Sequence, residues 1–314
     1  MTSMASPDYS KILGDIVERS TKLQGGTTAS YIPELARVDP ELTAAAITFP
    51  DGTCVTAGEA THHSFTLQSS AKLILLAGLL EEQGEQAVFA RVGREPSGAS
   101  FNSVARLETH GPLPANPLVN SGAIALSDLL RGSRDERVAW ICAWAQRLCN
   151  SETSISKRVL DSERKSGDRN RAIAYLLRQH GVLTGQVDDV LESYFSLCSL
   201  ETTVRGPSHF AAVLARGGLA PSGRRLLSRR TASGVVSLMA TCGMYNESGT
   251  HLFNTGLPSK SGVSGVIVAV APRRAGIAVW SPRINERGGS VRGHAILAEL
   301  SKRLGWHFAL PGAE

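Results

Sequence analysis

Strand-like apolar segments lie near the two ends of this 314-residue chain, and a long helical stretch separates them. Thr43 to Phe49 is a short apolar run, and Thr53 to Thr56 follows across a Pro50-Asp51-Gly52 turn, which predicts a β-hairpin. Towards the other end, Gly265–Ala271 (GVIVAVA) and Gly276–Trp280 (GIAVW) read as buried strands split by Pro272-Arg273-Arg274. A sheet that uses all four must close the two ends of the chain on one another. The simplest packing is α/β (α+β): one antiparallel sheet from N- and C-terminal strands, flanked by terminal helices, with an inserted helical lobe. The expected organisation is one unit over residues 1–314, with a sheet lobe at about 9–65 and 240–310 and a helical lobe at about 66–239. A cleft between them is where a site is expected.

Helical spacing accounts for much of the rest. Residues 9–24 place Ile12, Ile16, Val17 and Leu23 near one face and end before Gly25-Gly26. Ser69–Gln83 reads as a strongly apolar helix that stops at Gly84. Ala123–Leu130, Arg137–Leu148, Asn170–Gln179 and Val187–Cys198 are helix-like patches between polar loops, and Ser233–Met239 is a further candidate. Ser290–Leu304 closes the series, with Val291, Ile296, Leu297, Leu300 and Leu304 on one side.

Composition removes several classes of function. With 42% hydrophobic and 19% charged residues, the chain can bury a core and is not disordered. Its longest apolar run, Leu73–Leu80, is far short of the roughly 20 residues that span a bilayer. MTSMASPDYSK lacks a basic segment followed by an apolar one, so no signal peptide is read and a cytoplasmic protein is expected. The five cysteines form no C-x-x-C and read as buried reduced thiols. The eight histidines show no ligand pattern and His62-His63 reads as loop, so no metal and no cofactor are expected. A net charge of +5 suggests nucleic acid, but the basic residues are dispersed. The densest groups, Arg224-Arg225 with Arg229-Arg230 and Arg273-Arg274, sit beside turn residues and read as solvated surface. Neither nucleic acid nor membrane is an expected partner.

The chemistry begins at Ser69-Ser70-Ala71-Lys72, an S-x-x-K opening an apolar helix. Positions i and i+3 share a helix face, so the amine can reach the hydroxyl. Serine is a weak nucleophile until a base takes its proton, and a lysine with a burial-lowered pKa can be that base. The helix N-terminus adds N–H groups suited to an oxyanion. The spacing recurs at Ser154–Lys157 and Ser162–Lys165, which lie in a charge-rich stretch read as loop, where lysine stays solvated and protonated. Lys260-Ser261-Gly262 stands immediately before GVIVAVA. Penicillin-binding proteins and β-lactamases pair an S-x-x-K with such a triad further along, which points to serine acyl transfer. A plain strand-leading loop is the blander explanation.

The sequence around these anchors resembles the serine-dependent glutaminase family. The matching segments are Tyr31-Ile32-Pro33-Glu34-Leu35-Ala36, Gln68-Ser69-x-x-Lys72, Glu95-Pro96-Ser97-Gly98-x-x-Phe101-Asn102-Ser103 and Asn116-Pro117-x-x-Asn120-Ser121-Gly122-Ala123-Ile124. They continue through Ser162-Glu163, Arg169-Asn170, Cys242-Gly243-Met244-Tyr245 and Gly256-Leu257-Pro258-x-Lys260-Ser261-Gly262-Val263, in the family's order from about Tyr31 to Gly293. The resemblance implies a β-lactamase-like fold, cofactor-free hydrolysis of L-glutamine to L-glutamate and ammonia, and a homodimer or homotetramer. Carried over, Ser69 is the nucleophile, Lys72 its base and Tyr245 a proton relay beside the Lys260 strand. Tyr31, Gln68, Asn120, Glu163, Asn170, Tyr194 and Val263 become substrate contacts, with Lys260, Ser261 and Gly262 as support. Glu163 suits the substrate ammonium, Asn and Tyr donors suit its carboxylate and amide, and the N–H groups of Ser69 and Val263 suit an oxyanion.

Each of these residues also has an ordinary reading: Tyr194 as core, Asn170 as a helix N-cap, Glu163 as a solvated face. The chain departs from the family pattern at Ser70 and Ala71, and at Gly289, where the family usually shows Asn. Two other functions compete. A β-lactamase, peptidase or esterase on the same scaffold would accept nitrocefin or an aryl ester and ignore glutamine. A non-catalytic nucleic-acid-associated protein, suggested by the pI of about 9.1, would bind DNA salt-dependently and release no ammonia.

Overall fold

The computed structural model describes residues 7–98 and 111–310, so Phe101, Asn102 and Ser103 lie outside the described residues. The strands are β1 (Ala44–Thr48), β2 (Cys54–Ala57), β3 (Phe65–Thr66), β4 (Ser154–Ile155), β5 (Leu200–Thr202), β6 (Ser259–Gly262), β7 (Val266–Ala271) and β8 (Ala275–Trp280). Five of them form one antiparallel sheet in the order β2-β1-β8-β7-β6. The register joins distant parts of the chain: Ala46 of β1 stands opposite Ala278 of β8. The expected closure of the two ends is what forms.

Why the strands read as continuous apolar runs is clear from what covers them. Successive strand residues point to opposite faces, and here both faces are buried. Val266, Val268, Val270 and Trp280 face one core, which holds the helical stretch. Ile267, Ala269, Ile277 and Val279 face a second core with Leu13, Ile16, Ile296, Leu297 and Leu300. The second core is supplied by the helices Tyr9–Ser20 and Val291–Leu304. On the opposite side the helix Arg205–Ala215 lies directly on the sheet, where an added Cβ at Gly276 would stand 2.0 Å from the Ala212 nitrogen. Thr48 and Ser208 tie this helix to β1 by a 2.8 Å hydroxyl contact.

Several boundaries differ from the sequence expectation. Ser69 does not begin an α-helix; it sits on a 3-10 turn, Gln68–Ala71, and the α-helix runs Lys72–Phe89. At Gly84 the helix breaks as expected, with a non-helical backbone at φ 78°, and a second helical segment continues across that kink to Phe89. The charge-rich stretch read as loop is the helix Lys157–Ser166, with Val159, Ser162 and Glu163 buried. Lys260-Ser261-Gly262 is not a lead-in to a strand: it belongs to β6, paired along β7 with Lys260 opposite Val268. A second sheet, β3-β5-β4, has no counterpart in the sequence reading. It abuts the main sheet where Phe65 stacks on Trp280 at 4.9 Å. Of the cysteines, Cys149, Cys198 and Cys242 are buried, whereas Cys54 and Cys142 are only partly so.

Candidate active site

Two turns with strained backbones meet at the edge of the main sheet. Gln68, immediately before Ser69, has φ 48°, and Tyr245, which opens the 3-10 turn Tyr245–Glu247, has φ 55°. Left-handed backbone at a non-glycine residue costs of order 1–3 kcal/mol and persists only where surrounding contacts over-determine it. Both turns lie against β6. Gly262 makes this possible, since a Cβ there would stand 2.5 Å from the Leu67 carbonyl oxygen. Bare backbone at Gly262 thus brings Val263 alongside the Ser69 turn.

The side chains converge accordingly. The Ser69 hydroxyl lies by the Tyr245 phenol and offsets part of the upward push that burial gives the phenol's pKa. Ser70, by contrast, donates to the Leu67 carbonyl at 2.6 Å. Lys72 is buried and donates to Asn120 Oδ1 at 2.7 Å, with the Leu118 carbonyl at 3.4 Å. Asn120 donates in turn to Asn170 Oδ1 at 3.0 Å, so Asn170 is a link in this chain and not an N-cap. The Lys72 amine also lies 5.8 Å from the Tyr194 ring centre and 6.0 Å from that of Tyr245. Lys260 approaches the same Tyr245 ring at 4.0 Å and donates to the Ser261 carbonyl at 2.6 Å.

Electrostatics follow from this crowding of ionisable groups in a dry place. Burial pulls the Lys72 amine from 10.5 down to about 8, although Cys198 and Glu163 act upward. Lys260 is driven well below its ordinary value, by burial first and then by the charge of Lys72. Glu163 is buried, not solvated, and burial raises its carboxyl to about 7 against the downward pull of Lys72 and a hydrogen bond from Gln68. Gln68 also donates to Thr66 Oγ1 at 3.3 Å. Tyr31 has half its surface open, but its hydroxyl is enclosed and pushed well above its ordinary pKa by burial, Glu163 and Tyr245. Tyr194 is buried and shifted the same way, by burial first and then by Cys198 and Glu163.

These contacts join Ser69, Lys72, Asn120, Asn170, Tyr194, Tyr245 and Lys260 into one cluster, with Tyr31, Gln68 and Glu163 beside it. Sequence reasoning missed Cys198, grouped there with inert thiols. Its thiol bonds Tyr194 and interacts with Glu163, Lys72 and Lys260, and burial raises it to about 12. The signal was available, because Tyr194 and Cys198 stand at i and i+4 on one face of Val187–Cys198. Among the described residues no group of three or more His, Cys, Asp or Glu side chains is placed to hold a metal ion. No described helix is long and apolar enough to cross a membrane.

Over most of its length the chain is similar to known proteins. Residues 26–308 match the family model described as Glutaminase. A glutaminase of Legionella pneumophila (strain Corby) is 46% identical over 302 residues, covering 96% of this chain and 97% of the relative. A solved structure described as probable glutaminase ybaS superposes with a TM-score of 0.92 at 37% identity, covering 97% of this chain and 100% of that one. Mglu, solved in its glutamate form, gives a TM-score of 0.92 at 33% identity over 99% of this chain and 72% of its own.

Proposed function

Because the chain belongs to the glutaminase family and has its β-lactamase-like fold, we propose that it hydrolyses L-glutamine through an acyl-enzyme on Ser69. The observation that carries the mechanism is the buried Lys72 amine, lowered to about 8, on the same turn-and-helix as a serine beside the Tyr245 phenol. A neutral fraction of such an amine can accept the serine proton near neutral pH.

Ser69 Oγ attacks the side-chain amide carbon of glutamine as Lys72 takes the hydroxyl proton. The backbone N–H groups of Ser69 and Val263 hold the developing oxyanion. Tyr245, poised between Ser69 and Lys260, passes a proton to the departing nitrogen. The C–N bond breaks, ammonia leaves, and a γ-glutamyl ester remains on Ser69. Water then attacks the ester with the same groups reversed, releasing glutamate and the free serine. Glu163 receives the substrate ammonium, whose charge it can match only as carboxylate. Tyr31, Gln68, Asn120, Asn170 and Tyr194 surround the amino-acid end. Glutamate is the product of this reaction and the ligand named for the Mglu structure.

Coupled measurement of glutamate and ammonia from L-glutamine tests this reading, and hydrolysis of nitrocefin or aryl esters without glutaminase activity would overturn it. The same reading extends to one catalytic unit over the whole chain, a cytoplasmic location and a homodimer or homotetramer. Light scattering on the eluting enzyme would give its mass.

A further inference from the structure

Behind the Tyr245 turn lies a chain of polar side chains that the mechanism above does not use. Glu247 closes that turn. Asn285 donates to Glu247 Oε1 at 2.7 Å, and His294 Nε2 stands 3.2 Å from Glu247 Oε2. His294 Nδ1 meets His251 Nδ1 at 3.0 Å, and His251 Nε2 meets the Ser259 hydroxyl at 2.8 Å. The Ser259 hydroxyl is also 2.8 Å from the Leu257 carbonyl. Ser259 is the residue before Lys260 on β6, and Glu247 is two residues after Tyr245. The chain therefore ties together the two elements whose side chains face each other in the site.

Proton counting restricts this chain to two states. If Ser259 donates to Leu257, it accepts from His251 Nε2–H, so His251 Nδ1 is bare. His294 must then donate from Nδ1 to His251, and with a second proton on Nε2 it is an imidazolium ion-paired with the Glu247 carboxylate 3.2 Å away. If Ser259 turns and donates to His251 Nε2, the single proton of His251 moves to Nδ1 and points at His294. His294 then keeps one proton, on Nε2 towards Glu247, and both rings are neutral. The two states differ by one proton exchanged with solvent and by the direction of every bond between Ser259 and His294. Glu247, Arg287 and the two rings are the charged or titratable groups acting on the chain among the described residues. Burial, and then the neighbouring His294 charge, push His251 down to about 3.

We infer that Glu247, His294, His251 and Ser259 form a proton-switched positioning device that fixes the Tyr245 turn relative to Lys260 and Ser69. The inference rests on the glutaminase reading. Gly289 is part of it: a Cβ there would stand 2.3 Å from His294 Nε2 and 2.7 Å from Glu247 Oε2, directly across their contact. A side chain there would have to push the ends of His294 and Glu247 out of their present contact.

Wild type, His294→Gln and Gly289→Ala are compared for ammonia release from L-glutamine, with kcat and KM determined across roughly pH 5 to 8, where imidazoles titrate. Activities are normalised to the folded fraction from near-ultraviolet circular dichroism. Gln keeps a donor towards Glu247 but cannot titrate; Ala keeps the histidine but wedges the pair apart. Misplacement of a reacting group on this scale costs on the order of tenfold to a hundredfold in kcat, with KM expected within about twofold because no substrate contact is lost. The His294→Gln profile should also lose an inflection that wild type shows. Unchanged kcat per folded enzyme in both variants, or an unaltered pH profile in His294→Gln, would overturn the device. An inactive wild type would instead remove the glutaminase reading beneath it.

Discussion

The two adjacent serines differ in what their hydroxyls are already doing. Ser70 is committed to the Leu67 carbonyl, whereas Ser69 faces Tyr245. Ser69→Ala should lower kcat by on the order of 10⁴- to 10⁶-fold with the fold retained. Ser70→Ala should cost about 1 kcal/mol of stability for one buried hydrogen bond and keep most activity; the reverse ranking in an ammonia assay would reassign the nucleophile. Lys72 must be neutral to work, and with its pKa at about 8 the rate should climb as pH rises towards 8. Lys72→Arg, permanently charged, should lose on the order of 10²- to 10⁴-fold, and an active Arg variant would dismiss the lysine as base. Glu163 carries the opposite shift, a folded pKa of about 7 above its ordinary 4.5. A raised carboxyl pKa gives stability that is present below about 4.5 and lost as pH rises through about 7, so ionised Glu163 costs about 3 kcal/mol in the free enzyme. Glu163→Gln should therefore raise Tm at neutral pH while removing most of the preference for L-glutamine over N-acetyl-glutamine. That preference is expected on the order of 10²- to 10³-fold. A Tm that falls, or an equal preference in both enzymes, would mean the carboxylate serves the fold and not the ligand.

Among the elements, those with a periodic apolar pattern were legible and those made by their neighbours were not. GVIVAVA and GIAVW announce strands because both faces are covered, and the N- and C-terminal helices announce their buried stripes. Ser-Lys-Ser-Gly has no β-branched residue, and β6 exists because β7 offers it a partner at every position. The helix Lys157–Ser166 was hidden for the opposite reason: its buried stripe includes Ser162 and a carboxylate, Glu163, so the pattern looks solvated. The proposed nucleophile and base, Ser69 and Lys72, stand out as a motif. The roles proposed for Tyr194, Asn170 and Glu163 need either the family resemblance or the fold, since alone each passes for a core or surface residue. Packing between elements can be tested at Gly276, where the helix Arg205–Ala215 leaves no room for a methyl group. Gly276→Ala should destabilise by about 1–3 kcal/mol or more, measured by chemical denaturation, with kcat of the folded fraction unaltered. A neutral result would mean that helix and sheet can part without penalty.

For the molecule as a whole, the site belongs to neither layer alone. Lys72 opens a helix of the helical layer and Ser69 sits on the turn before it, while Lys260 belongs to the edge strand and Val263 directly follows it. One cooperative unit should then lose activity and secondary structure together in denaturant. Two separated transitions, with activity vanishing in the first, would show lobes that fold apart.

The pairing of β1 with β8 also sets a schedule. As the chain leaves the ribosome, β1 has only β2 beside it until the segment near residue 280 has emerged, and the turn that presents Ser69 has no β6 to rest against. The nascent protein is thus held catalytically silent by its own topology through most of its synthesis. It also exposes an apolar strand edge for that time, which makes a holding chaperone most valuable before the last strands appear.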